Sequence, residues 1–279
     1  MPSVLVTGAA RGIGRATVLR LAAAGWEVIA GVRNEADGDE LLKSDPGPAR
    51  TVALDITDSE QLTALEQRLP DRLDALVNNA GVVVGGPLEA IPPSELRRQL
   101  EVNVVGQAAV TQAVLPRLRE SRGRIVFVSS LSGRIATPLT GAYNASKFAL
   151  EGMADALRME LAPWGIKVVL VEPAQTDTDM WRRADADLDD AVASLSPDHR
   201  RLYAKHIEGF RKTIPRSQRM AGPVDGVAAA IEKALTVQRP RARYVVGAGP
   251  RAQALLARVT PTPMLDRLLR AGTGVPRRP

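Results

Sequence analysis

Tyr143-Asn144-Ala145-Ser146-Lys147 is a stretch that can move a proton. On a helix, residues four apart share a face, so Tyr143 and Lys147 meet. A free phenol titrates near ~10, and a neighbouring ammonium favours phenolate and draws that value down. Such a pair can act as a general acid/base, although the same spacing also occurs in ordinary helix-surface pairs. Ser130 stands thirteen residues upstream, closing the apolar run Ile125-Val126-Phe127-Val128-Ser129. A strand end and the first turn of the following helix can face one cleft, which would bring Ser130 to Tyr143. Asn103, among Val102, Val104 and Val105, is an amide in an apolar helical stretch and needs partners when buried.

These side chains need a frame. Residues 3–7 read as a strand, Gly8-Ala9-Ala10-Arg11-Gly12-Ile13-Gly14 as a turn, 15–24 as a helix and 26–30 as a second strand. Strand, glycine-rich turn, helix and strand open a dinucleotide-binding unit. Its glycines allow a tight turn, close approach of backbone N–H groups to a phosphate, and close packing of helix on strand. The helix N-terminus adds a positive dipole end. The second strand runs into Ala30-Gly31-Val32-Arg33-Asn34, without the carboxylate that would accept from an adenosine ribose. Arg33 and Arg11 would instead flank a 2′-phosphate. NADP(H) is the expected cofactor, with NAD(H) as the alternative and a solvated loop residue as the other reading of Arg33.

Further strands are read at 50–54, 73–77, 123–130, 165–172 and 244–246. Helices are read at 59–69, capped by Asp58, at 94–120 with Pro116 bending or breaking it near the end, at 142–162 and at 223–235. Alternating strands and helices predict an α/β fold: a doubly wound, parallel, seven-stranded Rossmann sheet with helices on both faces. Ligands of such sheets bind beyond the carboxyl ends of the strands. Asp55, Asn78-Asn79-Ala80-Gly81, Ser130 and Pro173 all follow strand ends on that rim. Asp55 could reach an adenine amino group or serve its own turn. Residues 1–250 form one catalytic domain, in which 174–222 is a lid over the cleft, and 251–279 is an extension with a tail from 272 expected to be disordered.

Composition removes other functions. The 279 residues include no cysteine and only two histidines, His199 and His206, so disulfides, thiolate chemistry and a metal centre are not expected. A net charge of +6 invites a nucleic-acid reading, but aromatics are 3% and the charge is dispersed. Neither a signal peptide nor a membrane span is read, and a cytoplasmic location is expected.

The chain resembles the short-chain dehydrogenase/reductase family. The resemblance rests on Thr7-Gly8-Ala9-Ala10-Arg11-Gly12-Ile13-Gly14, Asn78-Asn79-Ala80-Gly81, Asn103, Ser130 and Tyr143-x-x-x-Lys147, in the family's order and spacing. It implies that Tyr143 is the general acid/base and that Ser130 hydrogen-bonds the substrate oxygen. It also implies that Lys147 holds the nicotinamide ribose and lowers the Tyr143 pKa, and that Asn103 holds a water in a proton relay. The implied cofactor cleft is built from Gly8, Arg11, Gly12, Ile13 and Gly14 and from Arg33, Asp55 and Ile56. Asn79, Ala80 and Gly81 line it further, with Pro173, Thr176 and Thr178 from a later loop. That loop reads Pro173-Ala174-Gln175-Thr176-Asp177-Thr178, with Ala174 where the family usually has glycine, so its path is expected to differ.

The overall layout is similar to hydroxysteroid and retinol dehydrogenase-like members. The candidate walls, Val82-Val83-Val84, residues 131–139, Met180, Trp181 and Tyr203, are mostly apolar and favour a hydrophobic alcohol, ketone or aldehyde. A homodimer or homotetramer through helices 94–120 and 142–162 is the implied assembly. Two other readings stand beside an oxidoreductase: a regulator that senses NADP(H) without turnover, and an epimerase or dehydratase of the same family.

Overall fold

Alternate residues of each strand carry different kinds of side chain to the two faces of the sheet. Val4 and Val6 point into one apolar layer and Leu5 into the other, and all three are fully buried. The same alternation separates Val126 and Val128 from Ile125 and Phe127. Burial on both faces is the condition of a parallel sheet, and it explains the near-continuous apolar runs.

The computed structural model describes residues 1–44 and 47–276. Seven parallel strands form its sheet: β1 (Ser3–Thr7), β2 (Glu27–Val32), β3 (Ala49–Ala53), β4 (Ala75–Asn78), β5 (Arg124–Val128), β6 (Lys167–Glu172) and β7 (Arg243–Val245). Their order is β3-β2-β1-β4-β5-β6-β7. β1 pairs with β2 on one side and β4 on the other, so the chain reverses its winding between them. The crevice at that switch point is where such sheets bind ligands.

The helices, in chain order, are α1 (Gly12–Ala23), α2 (Glu35–Leu42), α3 (Ser59–Arg68), α4 (Pro93–Leu100), α5 (Gln107–Ser121), α6 (Gly141–Glu160), α7 (Asp179–Arg182), α8 (Ala184–Ala193), α9 (Pro197–Arg219), α10 (Val224–Thr236), α11 (Ala248–Val259) and α12 (Thr262–Gly272). α1, α2 and α10 cover the valine face of the sheet, and α3, α5 and α6 cover the leucine–isoleucine face.

Several sequence expectations need correction. The stretch after Arg33 holds helix α2, started by Asn34, whose side chain accepts from the Asp37 N–H. The helix expected over 94–120 is interrupted by a π-helical segment, Glu101–Gly106, between α4 and α5. Pro116 does not end it, and α5 stops at Ser121 where Arg122 turns left-handed. β5 ends at Val128, so Ser130 lies past the strand, and β7 sits one residue earlier than expected.

Residues 179–219 form three helices with a small core of their own, Leu188, Leu195, Ile207 and Ile214, joined by Tyr203 and Phe210. The tail expected to be disordered from residue 272 packs at Gly274 directly on α9. A Cβ on Gly209 would lie 2.1 Å from the Gly274 carbonyl oxygen. Residues 277–279 of that tail lie outside the described residues.

Candidate active site

The glycine turn after β1 is shaped by close approach rather than by flexibility. A Cβ on Gly14 would sit 2.1 Å from the Gly8 carbonyl oxygen, and one on Gly8 2.9 Å from Ala80 Cα. Gly8 and Gly12 also hold φ of +62° and +55°, which favour glycine. Arg11 is the N-cap of α1 and is exposed, with Ile13 in its first turn. The N-terminal N–H groups of α1 therefore open onto the switch-point crevice, where they can bind an anion.

Asn79 braces that turn. Its Nδ2 donates to the carbonyls of Thr7 and Gly8, both at 3.0 Å, and Thr7 Oγ1 accepts from the N–H groups of Asn79 and Ala80. Its amide thus serves the turn itself. Gly81 lies against Asn103, close enough that a Cβ there would be 3.3 Å from Asn103 Oδ1.

Asn103 belongs to a polar stripe, Gln99, Asn103, Gln107 and Thr111, spaced by four and buried throughout. A step of four overshoots an α-helical turn, and the wider π turn between α4 and α5 takes back part of that drift. The stripe stitches the segment after β4 in place. Asn103 Nδ2 donates to the Val82 carbonyl (3.0 Å) and to Ser146 Oγ (3.1 Å), while its Oδ1 accepts from the Val82 N–H (2.8 Å). Gln99 accepts from the Val84 N–H at 2.6 Å, and Gln107 donates to the Ala80 carbonyl at 2.8 Å. Both hydrogens of the Asn103 amide are spent on protein groups, which leaves its side chain no donor for a relay water.

Ser130 caps a short 3₁₀ turn, Leu131–Gly133, and Tyr143 lies in the first turn of α6. Burial pushes the Tyr143 phenol above its ordinary value, and the Ser130 hydroxyl beside it pulls the other way. Lys147 is buried, with Nζ donating to the Val128 carbonyl at 2.9 Å and lying 5.7 Å from the centre of the Tyr143 ring. Burial lowers the Lys147 pKa to about 8 and Glu151 opposes it. Desolvation is thus the larger influence on the phenol, and Ser130 is the neighbour that lowers it.

Asn144, between the two, does what the sequence reading missed. Its Oδ1 accepts from Thr140 Oγ1 and the Thr137 N–H, and its Nδ2 donates to the carbonyls of Ser132 and Ile135, all within 2.9–3.2 Å. One side chain thereby holds the loop from Ser130 to α6. Leu139 in that loop keeps a φ of +64°, and its carbonyl accepts from the Gly86 N–H at 2.7 Å. The available signal was an amide flanking Tyr143 at a helix start, a place where buried polar groups need partners.

The remaining cofactor candidates divide. Arg33 is exposed at the end of β2, and among the described residues neither it nor Arg11 joins an ion pair. Asp55 serves its own turn, accepting from the Thr57 N–H and hydroxyl at 2.9 and 2.7 Å. Ile56 is buried with its carbonyl against Gly106. Pro173 and Thr176 are buried, and Thr178 faces Gly12, where a Cβ would lie 3.3 Å from its methyl carbon. Ala174 adopts no positive φ. The loop is held instead by Gly222, which donates to the Gln175 carbonyl and accepts from the Asp177 N–H. His199 stands 3.8 Å from Glu89, which also accepts from the Tyr203 hydroxyl at 2.6 Å. Tyr203 thereby ties α9 to the short turn Leu88–Ala90 that follows β4.

A dinucleotide fits this arrangement: a cradle closed to any Cβ, a helix N-terminus, and two exposed guanidiniums at the rim. The family model for short chain dehydrogenase matches residues 2–189. The chain belongs to the short-chain dehydrogenase/reductase family. This is a family of nicotinamide-dependent oxidoreductases. Over 278 residues the chain is 31% identical to the NADPH-dependent 3-dehydrocapnine reductase of Ornithobacterium rhinotracheale, covering 96% of each. It is 34% identical to retinol dehydrogenase 5 of Mus musculus over 280 residues, covering 95% of this chain and 87% of the relative. A short chain dehydrogenase from Burkholderia cenocepacia, solved in complex with NADP, superposes with a TM-score of 0.75 at 28% identity, covering 99% of this chain and 98% of that one. Among the described residues, no helix of this short-chain dehydrogenase is long and apolar enough to cross a membrane, and no cluster of potential metal ligands occurs.

Proposed function

We propose that the protein is an NADP(H)-dependent oxidoreductase that interconverts a hydrophobic alcohol and its ketone or aldehyde. The observation that carries this reading is Tyr143 beside both the Ser130 hydroxyl and Lys147, on the same strand-end edge of the sheet that carries the glycine cradle. Arg11 and Arg33 would hold the 2′-phosphate, Gly12 and Ile13 the pyrophosphate through their N–H groups, and Lys147 the nicotinamide ribose hydroxyls. A bound nicotinamide supplies the hydride that joins the carbonyl carbon. Tyr143 gives its phenolic proton to the carbonyl oxygen, and Ser130 donates a hydrogen bond to the charge developing there. Lys147 stabilises the phenolate left behind, and the proton returns from solvent.

The segment around Val82, Val83 and Val84 and the loop 131–139 are the apolar walls that face this chemistry. Exposed Val105, in the π segment, and Phe148 and Met159, on α6, are candidate contacts for a homodimer or homotetramer. Following NADPH absorbance across ketones and aldehydes of graded size and polarity tests the reading. Oxidation of NADPH rising with apolar bulk is the expected result. Product formation with no net change in NADPH absorbance would point to the epimerase reading.

A further inference from the structure

One helical turn beyond Lys147 stands Glu151, buried at 7% exposure. Its Oε2 accepts from Arg243 Nε of β7 at 3.1 Å, and its Oε1 has no partner among the described residues. The same Arg243 Nε lies 3.3 Å from Glu172 Oε1, and its Nη2 donates to Asp155 at 2.6 Å. Asp155 is shared with Arg158. Glu172, wholly buried at the end of β6, accepts from Arg134 Nη2 at 3.0 Å, with Arg134 Nε 2.6 Å from its other oxygen but off the hydrogen-bond axis.

A buried ion cluster is a poor device for stability, since desolvation offsets the attraction and apolar replacements often do as well. Its placement gives another reason. Arg134 sits in the loop that starts at Ser130, and Glu172 immediately precedes the loop over the glycine cradle. The Leu131 N–H donates to the Pro173 carbonyl at 2.9 Å alongside them. Gly133 seals the arrangement from the other side: a Cβ there would lie 2.9 Å from Glu151 Cγ and 3.0 Å from the Lys147 carbonyl.

We propose that Glu151, Glu172, Arg134 and Arg243 are positioning residues: the four together clamp the Ser130 loop to α6, and Glu151 alone sets a negative charge one helical turn from Lys147 that favours its ammonium. The inference rests on the reading of Tyr143 and Lys147 as the proton-transfer pair. Burial and Glu151 push the Glu172 carboxyl up to about 7 while Arg134 and Arg243 oppose them, so the clamp is sensitive near neutral pH. Asp155 and Arg158 face it from α6, and Tyr143 lies beyond Lys147.

The test uses the cofactor-free protein first. The side-chain carbon-13 resonance next to the Lys147 amine, followed against pH by NMR in lysine-labelled protein and assigned with Lys147→Met, reports the fraction of neutral amine. Removing a negative neighbour disfavours the ammonium, so Glu151→Gln should move the titration midpoint several tenths of a pH unit or more below that of wild type. Glu151→Asp, which keeps the charge, should hold the midpoint near wild type, and it decides the question if Glu151→Gln does not fold. The second arm is kinetic: Arg134→Met should raise KM for the carbonyl several-fold with the NADPH Kd unchanged, and Arg134→Lys should restore part of it. An unmoved Lys147 midpoint in folded Glu151→Gln, or a shifted one in Glu151→Asp, overturns the charge role. An unmoved KM in Arg134→Met overturns the clamp. Turnover retained by Tyr143→Phe would instead sink the underlying assignment, so the two failures are distinct.

Discussion

Lys147 Nζ donates to the main-chain carbonyl of Val128 at 2.9 Å. This bond ties α6 to the end of β5 two residues before Ser130, so one side chain joins the two elements that carry the candidate chemistry. It also explains how a buried ammonium is tolerated: the carbonyl partly replaces lost water.

The pH dependence of stability follows from that burial. The folded-state pKa of Lys147, about 8, lies below the ordinary 10.5. Between these values the unfolded chain binds the extra proton, so stability rises with pH. The cost of burying the ammonium is fully present below pH 8 and is relieved towards pH 10.5. Thermal melts of wild type and Lys147→Met, taken at intervals from pH 7 to 10, should show wild type gaining on the variant as pH rises. A constant difference would contradict the burial account.

Asn144 holds the Ser130 loop through four hydrogen bonds. Asn144→Ala removes the partner of the half-buried carbonyls of Ser132 and Ile135, each bond worth about 0.5–1.5 kcal/mol. The expected outcome is a protein several degrees less stable, with turnover reduced more than NADPH binding. Equal loss of both would show that the loop does not specifically serve the substrate side.

Gly14 has no room for a methyl group. With the Gly8 carbonyl 2.1 Å from the site of a Cβ, Gly14→Ala must displace the turn from α1. NADPH affinity, read by fluorescence titration, should fall at least tenfold even where the variant remains folded. Unchanged affinity would mean that the turn is not the phosphate cradle.

Much of this was legible in the sequence, for identifiable reasons. The seven parallel strands followed from apolar periodicity, and the rim of Gly8, Asn79, Ser130 and Pro173 from turns after strands. Helix α2 was missed although Asn34 and Asp37 carry a cap signal, because the glycine in Glu35-Ala36-Asp37-Gly38 masks a short helix. The π segment was illegible as a break, since Glu101–Gly106 has no proline and its only glycine closes it. Its trace was the fourfold spacing of Gln99, Asn103, Gln107 and Thr111, which one residue read alone does not reveal. The cluster of Glu151, Glu172, Arg134 and Arg243 joins residues up to 109 positions apart and exists only once β6 and β7 pair.

Arg33 offers a direct check on cofactor choice. A carboxylate at the end of β2 accepts from ribose hydroxyls and repels a 2′-phosphate. Arg33→Asp should therefore weaken NADPH binding by tenfold or more and leave NADH binding unchanged or improved. Wild type that binds NADH more tightly than NADPH would contradict the phosphate assignment to Arg11 and Arg33.

The central claim is that Tyr143 transfers the proton. Removing only its hydroxyl, in Tyr143→Phe, leaves the ring packed and the cradle intact. With a confirmed carbonyl substrate, the variant should bind NADPH with wild-type affinity and lose turnover by a factor of about 10²–10⁴. Turnover within a few-fold of wild type, at unchanged NADPH affinity, would contradict the account.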